Sequence, residues 1–134
     1  MSPTELVKNH IIQNDEGYRY SIEPFLLADF AVLRSGQEVL DIGTGCGIIP
    51  LLMVNRESKL KITGIEIQSS LAAIAKKNVS KNKKQIKILN GDFLDKKLTF
   101  STEQFDLIIS NPPYRKINSG RMNLNEGKAI ARHE

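Results

Sequence analysis

The segment from Glu38 to Ser110 alternates between strand-like and helix-like stretches, and this alternation limits the possible folds. The strand-like stretches read EVLDI, KITGIEI, IKILN and FDLIIS, and the helix-length stretches IIPLLMV and SSLAAIAKKNVSK separate the first three. Strands separated by helices form right-handed crossovers and pair in parallel. We therefore predict an α/β fold with a doubly wound, mostly parallel sheet in the strand order 3-2-1-4.

The chain before this segment is predicted to form an N-terminal extension over residues 1–35. KNHIIQNDEGYRYS, residues 8–21, predicts a β-hairpin whose turn is Asn14 to Gly17. EPFLLADFAVL, Glu23 to Leu33, predicts an amphipathic helix. Its apolar positions at helical spacing are Phe25, Leu26, Phe30 and Leu33.

Residues 36–134 are predicted to form a partial core. Only four core strands can be counted before the polar stretch RKINSGRMNLNEGKAIARHE, and an open sheet of this kind usually has more. We therefore expect a truncated piece of a larger domain. The unpaired edge of the fourth strand would then favour self-association.

Composition narrows the functional classes. The net charge of +4 and the pI near 9.2 favour polyanionic partners such as nucleic acid, although a lysine excess also promotes solubility. A single cysteine excludes an internal disulfide, and two isolated histidines lack metal-ligand spacing, so we expect no metal. Neither a signal peptide nor a membrane-length apolar run is found. These features predict a cytoplasmic protein without a membrane partner.

The loop DIGTGCG, Asp41 to Gly47, follows the first strand and predicts a nucleotide-cofactor site. Its glycines allow a tight turn and close approach of the backbone to a ligand. Asp41 would repel a pyrophosphate and attract a cation, which favours S-adenosylmethionine, a ligand with an ammonium, a sulfonium and no phosphate. Cys46 is interpreted as a small loop residue, since no histidine partner for a nucleophile is evident.

Acidic residues follow the next two strands. Glu66 ends the second strand, nineteen residues past Gly47, where a carboxylate usually accepts from the ribose hydroxyls of a cofactor. Asp92 follows the third strand and could accept from an adenine amino group, with Phe93 beside the ring. The simpler alternative is that the glycines are turn residues and the acids are helix caps.

The stretch DLIISNPPY ends the fourth strand abruptly, because proline donates no backbone hydrogen bond and stiffens the chain. A planar amine such as the adenine amino group is a poor nucleophile that needs hydrogen-bond acceptors. The Asn111 side-chain carbonyl and the Pro112 backbone carbonyl can each accept one amino hydrogen. Pro113 would keep these acceptors rigid, and Tyr114 offers a ring for stacking on an unpaired base. The alternative is a simple turn with a half-buried tyrosine.

With these motifs in this order, the chain resembles the class I S-adenosylmethionine-dependent methyltransferases that carry an NPPY motif. Within them it is most similar to the bacterial tRNA (adenine-N6) methyltransferases that modify a valine tRNA. The segment IIQNDEGYRYSIEPFLLADF before the glycine loop and ARHE after NPPY add to this resemblance.

The resemblance implies a Rossmann-like sheet, S-adenosyl-L-methionine as cofactor and methyl transfer to an adenine amino group in tRNA. It also implies that the last three strands of the family's sheet are missing from this sequence. The catalytic residues it implies are Asn111, Pro112, Pro113 and Tyr114. The cofactor-binding residues it implies are Asp41, Gly43, Thr44, Gly45, Gly47, Glu66, Ile67, Asp92, Phe93 and Asn111.

NPPY is typical of amino methylation but does not identify the substrate. The alternatives are a ribosomal RNA base, a release-factor glutamine, or a truncated cofactor- or RNA-binding module without turnover. A glutamine enzyme would normally carry a helical domain before the core, and the first 35 residues are too short for one.

Two groups of basic residues are candidates for contact with a nucleic acid. The cluster over the second core helix and its following loop is better interpreted as a solvated surface than as an RNA contact. Its members are Lys76, Lys77, Lys81, Lys83, Lys84 and Lys87. Arg115, Lys116 and Arg121 adjoin NPPY and are better candidates for phosphate contacts.

Overall fold

A computed structural model describes residues 1–13, 22–95 and 104–112 of the chain. The strands in these ranges are β1 (Glu38–Ile42), β2 (Lys61–Glu66), β3 (Lys87–Asn90) and β4 (Leu107–Ser110). The helices are α1 (Pro3–His10), α2 (Glu23–Phe30), α3 (Ile48–Arg56) and α4 (Ser69–Lys81).

The four strands form one parallel sheet in the order β3-β2-β1-β4. The register aligns Ile42 with both Ile65 of β2 and Ser110 of β4. Because all four strands are parallel, the loops that follow them lie along one edge of the sheet. The predicted α/β class and strand order are confirmed, and the loops after β1 and β4 are neighbours.

The helices that connect the strands pack through periodic apolar positions. On α4 the buried side chains Ala72, Ala75 and Val79 follow helical spacing and face β2 and β3. Their small size lets the helix lie close to the sheet. The lysines at 76, 77 and 81 lie on the exposed part of α4.

The N-terminal extension shares the core of the sheet domain. Leu6, Val7 and Ile11 belong to the same buried cluster as the apolar residues of α3 and the strands. The Arg56 guanidinium donates to the backbone carbonyls of Ala28 and Ala31 and so fastens the end of α2 to α3. The predicted boundary near residue 35 is untested and stays a prediction.

The predicted hairpin is wrong over Lys8 to His10, which belong to α1 instead. The helix begins with a capping box, in which the Ser2 hydroxyl accepts from the Glu5 N–H and the Glu5 carboxylate accepts from the Ser2 N–H. The capping box, with Pro3 in the first turn, stabilises a helix that extends into the first arm of the predicted hairpin. The predicted turn and second arm lie outside the described residues.

The helix predicted over residues 23–33 is shorter and oriented differently. It ends at Phe30, and it meets α3 through its narrow Pro24 and Ala28 side, which allows close packing. Leu26 and Phe30 are 57% and 85% exposed, so the predicted burial of that apolar stripe is wrong for both.

Two further observations apply to the part of the chain that the structure describes. Within it, no helix is both long and apolar enough to cross a membrane. The same residues contain no group of three or more His, Cys, Asp or Glu side chains placed to hold a metal ion.

Candidate functional site

The glycine loop bends back onto the end of β2. Gly43, Gly45 and Gly47 have φ angles of +74°, +58° and +84°, a region that side-chain-bearing residues rarely adopt. The N–H groups of Gly43 and Thr44 both donate to the Ile65 carbonyl, at 2.9 and 3.0 Å. A Cβ atom at Gly43 or Gly45 would meet no atom within 4 Å. The loop backbone is therefore open to a ligand.

Asp41 is buried beneath this loop and is only partly satisfied. The Thr44 hydroxyl donates to its Oδ2 at 2.8 Å, whereas Oδ1 is buried and has no hydrogen-bond partner within the described residues. Burial raises the pKa of Asp41 to about 7; the Thr44 hydrogen bond opposes this shift and the Glu66 charge adds to it. A buried acceptor without a donor is rare and costly, so this oxygen suits a cationic or hydrogen-bond-donating ligand.

Glu66 joins the glycine loop to the start of α4. Its Oε1 accepts from the Gly45 N–H at 2.8 Å, and its Oε2 accepts from the Gln68 N–H at 2.9 Å. Each carboxylate oxygen has capacity for a second hydrogen bond. Glu66 is buried, and its neighbour Ile67 is half-buried. The residue therefore fixes the loop while keeping acceptor sites for a ligand.

The turn after β3 lies beside the end of β2. The Gly91 N–H donates to the Glu66 carbonyl at 2.9 Å, which ties the start of this turn to the site. Asp92 closes the turn, since its Oδ1 accepts from the Leu94 N–H at 2.9 Å. Phe93 is 38% exposed. The predicted adenine-binding pair thus occupies the same edge of the sheet as Glu66.

The start of the NPPY turn lies beside the glycine loop. The Ser110 hydroxyl donates to the Ile42 carbonyl at 3.2 Å, and these two residues are aligned across β1 and β4. Gly43 directly follows Ile42, and Asn111 directly follows Ser110, so the two residues are neighbours at this edge of the sheet. Asn111 is half-buried and Pro112 is exposed. Pro113 and Tyr114 lie outside the described residues, as do the predicted phosphate contacts at 115, 116 and 121.

Two residues that shape the candidate site were not predicted from the sequence. Gly64 lies inside β2, and a Cβ there would stand 2.8 Å from the Thr44 hydroxyl oxygen, so glycine makes room for Thr44 beside Asp41. A glycine inside a strand signals such a close approach. Asn78 is fully buried in α4, and its amide donates to the Cys46 carbonyl at 2.9 Å. Its only signal was a polar residue within the buried stripe of α4.

A cleft of about 370 Å³ also lies at the amino ends of β1, β2 and β3, opposite the glycine loop. Lysines line much of it: Lys59, Lys61, Lys84 and Lys87. It contains none of the predicted cofactor residues. The other edge of the sheet brings together polar groups, an open glycine backbone and an unpartnered carboxylate. We assign the candidate functional site to that edge.

A parallel sheet in this order, with an acidic glycine loop and an Asn-Pro turn at one edge, is the arrangement expected of the S-adenosylmethionine-dependent methyltransferases. The chain belongs to the methyltransferase small domain family, whose family model matches residues 23–129. This membership confirms the methyltransferase family predicted from the sequence.

Individual relatives and structures agree with this assignment. The tRNA1(Val) (adenine(37)-N6)-methyltransferase of Vibrio vulnificus strain YJ016 is 36% identical over 125 residues, covering 92% of this chain and 50% of the relative. The chain therefore spans about half the length of that relative.

Among solved structures, the tRNA (m1A58) methyltransferase TrmI from Aquifex aeolicus matches with a TM-score of 0.66 at 20% identity, over 84% of this chain and 44% of that one. A Haemonchus contortus phosphoethanolamine N-methyltransferase 2 in complex with S-adenosyl-L-methionine matches with a TM-score of 0.60 at 23% identity, over 82% and 25%. At these identities the two structures support the fold.

Proposed function

We propose that this chain supplies the cofactor-binding and amine-positioning part of an enzyme that methylates the exocyclic amino group of an adenine in tRNA. The observation that carries the proposal is the buried, unpartnered Asp41 carboxylate oxygen beneath a glycine loop that adjoins Asn111. The name of the Vibrio vulnificus relative supports tRNA and adenine as substrate. A tRNA substrate would place the protein in the cytoplasm.

The residues present fit S-adenosylmethionine. The unpartnered Asp41 oxygen suits a cation, and the open space at Gly43 and Gly45 admits a ligand against the backbone. Asp41, with the loop residues Gly43 to Gly47, would hold the methionyl end. Glu66 would accept from the ribose hydroxyls through the capacity that Gly45 and Gln68 leave on its oxygens.

The remaining cofactor contacts follow the same edge of the sheet. Asp92 would accept from the adenine amino group of the cofactor, with Phe93 and Ile67 beside the ring. When bound, S-adenosylmethionine supplies an electrophilic methyl group on its sulfonium. The protein has to orient an amine towards that group and exclude competing nucleophiles.

Asn111 and Pro112 would orient the substrate amine. Each offers a carbonyl oxygen that can accept one amino hydrogen, which increases electron density on the nitrogen and fixes its direction. The link from Ser110 to Ile42 holds the start of this turn against β1. Pro113 and Tyr114 complete the proposed turn, Pro113 by stiffening it and Tyr114 by stacking on the target base.

Transfer of labelled methyl groups from S-adenosylmethionine to tRNA tests the proposal. Asn111→Ala should lower the transfer rate by about 10²-fold or more, because positioned acceptors act mainly in the transition state. The affinity for S-adenosylhomocysteine should change little. Asn55→Ala is the matched control, since the Asn55 amide lies on α3 and donates to the Met1 carbonyl.

The possible outcomes separate the remaining functions. Transfer that survives Asn111→Ala would contradict the role of the turn. Label on a release-factor glutamine, with none on tRNA, would show that the substrate is a protein and not tRNA. Cofactor binding without transfer to any RNA would indicate a binding module.

A further inference from the structure

The side chain of Asn78 connects two parts of the chain that are far apart in sequence. It is completely buried in α4. Its Oδ1 accepts from the Ile12 N–H at 2.6 Å, and its Nδ2 donates to the Ile12 carbonyl at 2.8 Å and to the Cys46 carbonyl at 2.9 Å. One amide thus holds both the N-terminal segment and the glycine loop.

These three hydrogen bonds fix the orientation of the amide. A flipped amide would place its nitrogen against the Ile12 N–H and its oxygen against two carbonyl oxygens, so all three contacts would become repulsive. In the observed orientation both amide hydrogens are used. Asparagine is a poor helix former, and a buried amide is tolerated only when its partners are in place. A volume-matched apolar residue would suit simple packing better.

The two contacts act on structures with different roles. Cys46 lies between Gly45 and Gly47, so holding its carbonyl towards α4 helps fix the peptide planes of the loop that would hold the cofactor. Ile12 follows α1, and no strand pairs with it in the described residues. The Asn78 amide therefore takes the place of a backbone partner for Ile12.

Asn82, the residue that caps the end of α4, provides an internal comparison. Its Nδ2 donates to the His10 carbonyl at 2.8 Å and to the Asn78 carbonyl at 2.8 Å. Like Asn78 it binds the N-terminal segment, but neither of these two hydrogen bonds reaches the glycine loop. Asn82 therefore only attaches the segment, whereas Asn78 attaches it and also connects it to the glycine loop.

We propose that Asn78 is a positioning residue that couples docking of the N-terminal segment, residues 10–13, to cofactor binding at the glycine loop. Because one rigid amide serves both contacts, a ligand that orders the loop also stabilises the position of Ile12. By linkage, release of the segment weakens the site for the cofactor. This inference rests on cofactor binding at the loop, which is part of the proposed function.

Amide hydrogen exchange of the wild-type chain, with and without S-adenosylhomocysteine, tests the coupling first. The Ile12 amide should exchange about tenfold more slowly with ligand, beyond any slowing at Lys61. The Lys61 N–H donates to the Gln37 carbonyl at the opposite edge of the sheet and reports global stabilisation. Equal slowing at Ile12 and Lys61 would overturn the proposal. Failure of the wild-type chain to bind the ligand would instead overturn the proposed cofactor site.

Variants then distinguish coupling from a structural role. Asn78→Leu should weaken S-adenosylhomocysteine binding about tenfold and abolish the ligand-dependent protection of Ile12. Asn82→Ala removes the bond to His10 but leaves both Asn78 bonds to Ile12, so the segment should stay docked: thermal stability should fall, while the affinity should stay within about twofold and the protection of Ile12 should remain. Wild-type affinity in a folded Asn78→Leu variant would refute the coupling, as would equal loss of affinity in Asn82→Ala. If Asn78→Leu fails to fold, the exchange of the Ile12 and Lys61 amides in the wild-type chain still tests whether ligand binding is coupled to the segment.

Discussion

Replacing Asp41 with asparagine should stabilise the protein without ligand, although it alters the centre of the proposed site. Asp41 is buried, its Oδ1 has no partner within the described residues, and its pKa is raised to about 7. The variant keeps the shape of the side chain and an acceptor for the Thr44 hydroxyl. It removes a buried negative charge that, within the described residues, only the Thr44 hydroxyl is seen to hydrogen-bond.

The size of the effect follows from the pKa. A pKa shift from 3.8 to about 7 lowers the free energy of unfolding by roughly 4 kcal/mol when the carboxylate is ionised, at about 1.4 kcal/mol per pKa unit. The new amide hydrogens lack an acceptor and would cost about 1–3 kcal/mol. We therefore expect a net gain of about 1–3 kcal/mol for the variant above pH 7, or several degrees in melting temperature.

The sign of the pH dependence is set by the raised pKa. At pH values below about 4 the carboxyl is protonated in both the folded and unfolded chain. Between about pH 4 and the folded pKa of about 7, the unfolded chain loses this proton first, so ionisation progressively destabilises the wild-type fold. The destabilisation is complete above pH 7. The advantage of the variant should grow across that interval and then level off.

Urea unfolding of both proteins at half-unit steps from pH 4 to pH 8.5 measures this difference directly. The comparison cancels the other titrating groups, which both proteins share. A variant that is less stable than wild type above pH 7, or a stability difference that does not vary with pH, would refute the account of Asp41 as an uncompensated buried acid.

Three other predictions concern the site and the sheet edge. Gly64→Ala should lower both thermal stability and cofactor affinity by crowding Thr44, whereas Gly36→Ala, strained at φ +79° but in open space, should lower stability alone. Ile108→Lys should reduce self-association in sedimentation experiments, since this half-exposed residue lies on the edge strand of the described sheet; unchanged association would exclude the β4 edge as the contact. At pH 6 a cationic cofactor should displace a proton from Asp41, so calorimetric enthalpies should vary with buffer ionisation enthalpy; identical enthalpies would contradict the pairing.

The sheet could be predicted because its signals are local and consistent. EVLDI and SSLAAIAKKNVSK coincide with β1 and α4, and the other core strands differ by a few residues at their ends. Each strand is short, apolar and bounded by glycine or polar residues, and parallel crossovers have one hand. The order of the motifs along the chain then determined which loops share an edge.

The N-terminal region was predicted poorly because its structure depends on tertiary contacts. The apolar stripe of α2 faces solvent in part, since the Arg56 contacts and the small Pro24–Ala28 side orient the helix differently. Ile12 is held by the Asn78 amide, 66 residues away in the chain. Local patterns carry no information on either arrangement.

The sequence predicted which residues share one edge of the sheet at the candidate site, but it did not predict their hydrogen bonds. Spacing after strands located Asp41, Glu66 and Asp92, because chain order fixes the edge of the sheet that they share. It could not show that Thr44 satisfies only one oxygen of Asp41, or that Glu66 binds two backbone N–H groups. Such pairings depend on side-chain rotamers and on the positive φ angles of the loop.

Calorimetric titration of the purified chain with S-adenosylmethionine tests the central claim most directly. We predict saturable binding with one site per chain, weakened strongly by Asp41→Ala and little affected by Asp29→Ala, a change at an exposed acid of α2. A folded chain that binds no S-adenosylmethionine would contradict the account. Binding that is unchanged by Asp41→Ala would contradict it equally, because the cofactor would then lie elsewhere.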